Sequence, residues 1–70
     1  MNDKYELIIY WSEEDNSFIV DVPELPGCMA DGKTKQEALA NAEIVIQEWI
    51  EAAIEQNRTI PRPKGRLEFA

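Results

Sequence analysis

Few side chains in this sequence could carry chemistry, and their types and spacing narrow the choice. Cys28 is the single cysteine and histidine is absent, so no imidazole can act as the base for a nucleophile. Cys28 has no cationic neighbour in sequence to depress its pKa, which predicts a buried or half-buried structural thiol. The same census excludes an internal disulfide and removes the usual zinc ligands. Gly27, Gly32 and Gly65 stand apart, so no glycine-rich loop can cradle a phosphate. What remains is acid. Glu6 and Asp21 alternate onto one face of a predicted hairpin, where a carboxylate pair could hold a divalent metal for phosphodiester hydrolysis. They lie diagonal to each other among Ile and Tyr, so a metal-dependent nuclease is a minor alternative. Glu13-Glu14-Asp15 could approach calcium, but its spacing matches no loop of defined ligand geometry. No catalytic residue, metal site or cofactor is assigned.

The balance of charge points elsewhere. Fourteen acids against seven bases give −7 over 70 residues, the wrong sign for collecting nucleic-acid phosphates or docking on anionic membranes. Residues 1–31 hold eight acids and one Lys; residues 32–57 hold five acids and two Lys. The last thirteen residues reverse the sign, with four bases and one acid. No run reaches the roughly 18 apolar residues of a spanning helix, and Met1 to Glu6 carries no signal-peptide pattern. Together with the free thiol this predicts a cytoplasmic protein. An apolar share of 44% is enough for a folded core. One domain over 1–70 is expected, and at ~60 residues only about 60% of the unfolded surface is buried. Oligomerisation or a partner protein is the natural reinforcement.

The elements that would position these acids can be read from periodicity. Tyr5 to Trp11 and Ser17 to Val22 are rich in β-branched and aromatic residues and read as a hairpin over 5–22. The polar stretch Ser12 to Asn16 turns it, with Asn16 suited to positive φ. Pairing Trp11 with Phe18 places Leu7, Ile9 and Trp11 beside Phe18, Val20 and Val22 on one apolar face. The other face carries Ile8, Tyr10 and Ile19 among Glu6, Ser17 and Asp21. These are either scattered surface hydrophobics or a contact face for a second copy or partner.

Pro23 to Gly27 forms a rigid loop, because Pro23 and Pro26 lack ladder donors. A short strand over 28–31 and Gly32 follow. Thr34-Lys35-Gln36-Glu37 is a capping box opening a helix over 34–56, in which Glu37 reaches back to Thr34. Leu39, Ala42, Ile46, Trp49, Ile50 and Ala53 form its core stripe, widened by Ala38, Val45 and Ile54. Asn57 is a plausible left-handed terminator. Glu37, Glu48, Glu51 and Glu55 line the far side as an acidic ridge, interrupted by Ile44. After the prolines at 61 and 63, Arg66-Leu67-Glu68-Phe69 alternates as an edge strand over 65–69. The fold class is α+β: an antiparallel sheet with one long helix on one face, in the order β-β-β-α-β.

At this level of detail a family likeness emerges. Asp21-Val22-Pro23-Glu24-Leu25-Pro26-Gly27-Cys28, followed by Gly32-Lys33-Thr34 and Glu37-Ala38, resembles the N-terminal domain of HicB-family antitoxins. The Tyr10…Phe18 hairpin, the helix bearing Trp49 and the exit through Ile60-Pro61 and Pro63 are similar too. The likeness covers roughly Lys4 to Pro63, with Asn16 where the family usually places Gly, a mild change. It implies a partly degraded ribonuclease-H-like fold without working catalytic acids. It further implies neutralisation of a HicA-type toxin, a small basic ribonuclease that cleaves mRNA. Longer relatives add a C-terminal DNA-binding domain. This chain stops at Ala70, so a short form with no direct DNA binding of its own is expected.

An acidic surface would steer toward such a toxin and compete with its RNA. The candidate contact residues are Glu13, Glu14 and Asp15 at the hairpin tip and Glu24 and Leu25 in the proline loop. Glu48, Glu51 and Glu55 on the ridge come second. The face of Ile8, Tyr10 and Ile19 is the candidate interface of a homodimer or tetramer. The rival reading from another class is a stand-alone homo-oligomer with no toxin partner.

Overall fold

Ser12 and Ser17 close the first hairpin, and the four residues between them turn it, with Asn16 at φ 52°. In the computed structural model, which describes residues 4–62, strand β1 (Ile8–Ser12) pairs antiparallel with β2 (Ser17–Asp21). Trp11 faces Phe18 and Ile8 faces Asp21, the register predicted from alternation. Strand β3 (Met29–Gly32) pairs antiparallel with the other side of β2, so β2 is central. β3 starts one residue later than the sequence suggests. The Cys28 N–H is spent on the Leu25 carbonyl (2.9 Å), and only its carbonyl reaches the sheet, accepting from the Val22 N–H (3.0 Å).

Helix α1 (Lys35–Glu55) follows, capped by Thr34, whose hydroxyl oxygen accepts from the Glu37 N–H at 3.0 Å. The Glu37 carboxylate reaches back to the Lys33 N–H, one residue further than the predicted box, and Thr34 takes the extended backbone usual for an N-cap, φ −126°. At the other end Asn57 adopts φ 55°. The Arg58 N–H returns to the Ala53 carbonyl (2.8 Å) and the Asn57 N–H to Ile54 (3.1 Å), the double closure of a Schellman motif. These bonds satisfy carbonyls that the helix terminus would otherwise leave open.

Small residues let α1 settle close on β3 and β2. Val20, Ala38 and Ala42 are fully buried, with Leu7, Ile9, Phe18 and Ala30 packed around them. Gly32 sits directly under the helix, where an added Cβ would lie 2.5 Å from the Ala38 amide nitrogen. A second, bulkier cluster joins Tyr5, Val22, Leu25, Cys28 and Ile46, flanked by Leu7, Val45, Trp49 and Ile50. The sequence reading did not place Tyr5 there. Its phenol donates to the Pro61 carbonyl, tying the chain that leaves α1 to the start of the domain. Trp49 is half-buried, its indole donates to the Pro26 carbonyl (3.0 Å), and the Arg58 guanidinium stands 5.2 Å over its ring.

The result is the expected α+β arrangement, with three antiparallel strands and one long helix. Two core assignments are corrected. Trp11 is 44% exposed and Ile54 61% exposed. With α1 held near β3 by the Gly32 contact, the end of β1 and the last helical turn project past the cover. Trp11 instead packs edge-on against Phe18, centroids 5.0 Å apart at 72°. The strand expected over 65–69 lies outside the described residues.

Candidate functional site

The candidate contact residues fall on three separate surfaces, and each is built differently. At the hairpin tip Glu13, Glu14 and Asp15 are exposed. The turn recruits two of them: the Trp11 indole donates to Glu13 Oε2 (3.1 Å) and the Ser12 hydroxyl to Asp15 Oδ2 (3.0 Å). The Asp15 N–H in turn donates to the Ser12 oxygen (3.3 Å). These bonds are local, so the tip carboxylates serve the turn whatever else they meet.

The proline loop is more deeply set than its sequence suggests. Glu24 is half-buried and its Oε1 accepts from the Glu6 N–H at 3.3 Å. Leu25 is fully buried, a correction to its place among the surface contacts. Two consecutive turns bury it, since the Leu25 N–H bonds the Val22 carbonyl (3.1 Å) and the Cys28 N–H bonds the Leu25 carbonyl (2.9 Å). Val22, Leu25 and Cys28 therefore all point inward. The apolar residue at every third position was the signal in the sequence, hidden by the prolines and Glu24 between.

The ridge is the open surface. Glu48, Glu51 and Glu55 are exposed, and the Gln47 amide donates to Glu51 Oε2 at 3.1 Å. Ile44, 57% exposed, stands among them. It borders a shallow groove of about 270 Å³ lined by Ala40, Glu43, Ile44, Gln47 and Glu48.

The sheet face turned away from α1 forms a fourth surface. Ile8 and Tyr10 are exposed there, joined by Met29, which the sequence reading did not place on it. Met29 alternates with the core-facing Ala30, so the period of the strand could have found it. Ile19, on the central strand, is walled in by its neighbours and only 8% exposed. Beside it opens a hollow of about 480 Å³ bordered by Asp15, Ser17, Ile19, Met29, Asp31 and Lys33. The Lys33 ammonium donates to the Asn16 carbonyl and the Ser17 hydroxyl, both at 3.4 Å.

Among the described residues no group of three or more His, Cys, Asp or Glu is placed to hold a metal ion, and Asp21 pairs with Ile8 in the ladder. No described helix is long and apolar enough to cross a membrane. Cys28 is buried, as expected for a structural thiol. Burial raises its pKa from the ordinary 9.0, and the Asp21 charge adds to the shift. Burial likewise raises Tyr5 above 10.0, with Glu24 contributing. Both groups fold in the neutral form, so their contribution is complete below the unfolded pKa values. It is lost as the pH rises through the folded ones. Stability should therefore fall in urea titrations above pH 9. Cys28→Ala should flatten the first part of that fall, and an unchanged slope would contradict the burial of the thiol.

The chain is 48% identical over 59 residues to a UPF0150 protein of Thermoplasma acidophilum, covering 84% of each chain. It is 37% identical over 63 residues to a UPF0150 protein of Synechocystis, covering 90% of this chain and 85% of that one. A third relative, a protein of the rep-hol intergenic region of Haemophilus phage HP1, is 35% identical over 48 residues; the match spans 69% of this chain and 36% of the phage protein. No solved structure matches. The family profile described as HicB-like antitoxin of bacterial toxin–antitoxin systems matches residues 5–68. The chain belongs to the HicB-like antitoxin family.

Proposed function

We propose that this protein neutralises a small basic HicA-type mRNA-cleaving toxin in the cytoplasm by covering its surface, with no catalysis of its own. The observation that carries the reading is a carboxylate-rich exterior on a member of an antitoxin family: the hairpin-tip acids and the ridge acids Glu48, Glu51 and Glu55 are all exposed. Such a surface attracts a basic enzyme at long range and then competes with the RNA for the same cations. Contact residues are drawn from Glu13, Glu14, Asp15, Glu24, Glu48, Glu51 and Glu55. Co-expression with the product of an adjacent small basic reading frame tests this. The expected result is rescue of growth and a complex that co-purifies. A product that is harmless alone, or that fails to co-purify, overturns the reading.

One observation favours homo-oligomerisation alongside it. Ile8, Tyr10 and Met29 are each more than 40% exposed on one sheet face, with Ile19 between them. A second copy related by a two-fold axis would cover this patch with its own equivalent. Light scattering at micromolar concentration should give a dimer or tetramer, and Tyr10→Glu should shift it to monomer with unchanged circular dichroism. A monomeric wild type would remove this assembly.

A further inference from the structure

We propose that the outward side of α1, centred on the Ile44 groove, is the docking surface for a basic protein. The inference rests on the antitoxin reading, whose toxin would be that partner. Ile44 lies on the opposite side of the helix from the buried Ala38, Ala42, Ile46 and Ala53, and at 57% exposure it does little for the core. A β-branched residue also has a lower helix propensity than Ala or Glu, so propensity alone does not favour it there. Its surroundings supply the reason. At about 100° per residue, Glu37, Glu48, Glu51 and Glu55 all fall within about 40° of Ile44 around the axis.

No base interrupts them, since α1 has none after Lys35. The next, Arg58, is held over the Trp49 ring. Ala40 and Ile44 thus give the groove an apolar floor, and carboxylates form its rim. An apolar centre inside a polar ring is the anatomy of a binding hot spot.

The sign of the rim selects the occupant. A second copy of this helix face would set carboxylates against carboxylates, and a nucleic acid or an anionic membrane would meet the same repulsion. A protein that offers Lys and Arg around a small apolar socket meets complementary charge and fills the groove. On the rival surfaces Glu13 and Asp15 hold the hairpin turn, and Glu24 accepts from the Glu6 N–H. Hydrogen-bonded acids occur on this face as well, at Glu37 and Glu51; what sets this face apart is its exposed apolar centre, Ile44.

The test measures the affinity of the co-encoded basic protein for wild type, Ile44→Ala, Ile44→Arg and the hairpin-tip variant Glu14→Arg. Ile44→Arg should weaken binding by roughly 30-fold or more and Ile44→Ala by roughly 10-fold, the losses typical of a central contact. Glu14→Arg changes the net charge more but should cost less than about threefold, because peripheral charges act mainly on association rate. All variants should melt with the wild type. Ile44→Arg binding within threefold of wild type, or Glu14→Arg losing more than Ile44→Arg, would overturn the assignment. A drop in melting temperature for Ile44→Arg would do so too, since it would give Ile44 a packing role. A wild type that does not bind fails the antitoxin reading itself and removes this surface with it.

Discussion

Gly32→Ala should melt at least about 12 °C below the wild type. The methyl group would meet backbone, the Ala38 nitrogen at 2.5 Å and the Ala38 Cα and Glu37 carbonyl carbon at 2.9 Å. No rotamer change can relieve a collision with main chain, so α1 must lift off β3. Overpacking costs ~1–3 kcal/mol even where side chains can give way; here about 3 kcal/mol or more is expected. A chain of this size holds only about 4–10 kcal/mol in total, and each kcal/mol moves the midpoint by about 4–8 °C. Gly27→Ala is the natural comparison. A Cβ there meets nothing within 4 Å, but φ is +78°, so the cost is the left-handed backbone alone, about 1–2 kcal/mol. If the two variants melt together, the close approach of helix and sheet is wrong.

Leu25→Ala should be comparably damaging, at about 2–5 kcal/mol, because it empties a fully buried site and the rigid double turn around it cannot collapse inward. The urea midpoint should fall with the slope unchanged. This outcome also separates two roles. If Leu25 acted as a surface contact, the substitution would weaken partner binding and leave the midpoint in place.

The contrast between Leu25 and Trp11 explains what was legible in the sequence. The β1–β2 register, the Asn16 turn, the helix limits and the Asn57 terminator are local facts, set by alternation, turn residues and caps within a few positions. They follow from the chain read alone. Whether Trp11 or Ile54 is covered depends on where α1 lands, and that is decided by Gly32 and Ala38, residues too small to stand out in a periodicity. Leu25 reads as a surface residue because prolines and an acid surround it, although it is fully buried. Its burial depends on Tyr5 and Ile46, about twenty positions away on either side. Of the candidate contacts, the ridge acids Glu48, Glu51 and Glu55 are the simplest to place on an exposed face. A helix states which of its sides faces solvent, whereas a loop does not.

The double turn from Val22 to Cys28 has a kinetic counterpart. It is fastened from three directions: by Leu25 in the core, by the Glu6 N–H on Glu24, and by the Trp49 indole on the Pro26 carbonyl. Loops ordinarily open by themselves and exchange their amide hydrogens quickly. The Leu25 and Cys28 amides should reach solvent only when the helix, the loop and the segment leading into β1 part together. Their exchange should be as slow as that of the core amide of Val20, so that by the clock of hydrogen exchange this proline loop counts as part of the sheet.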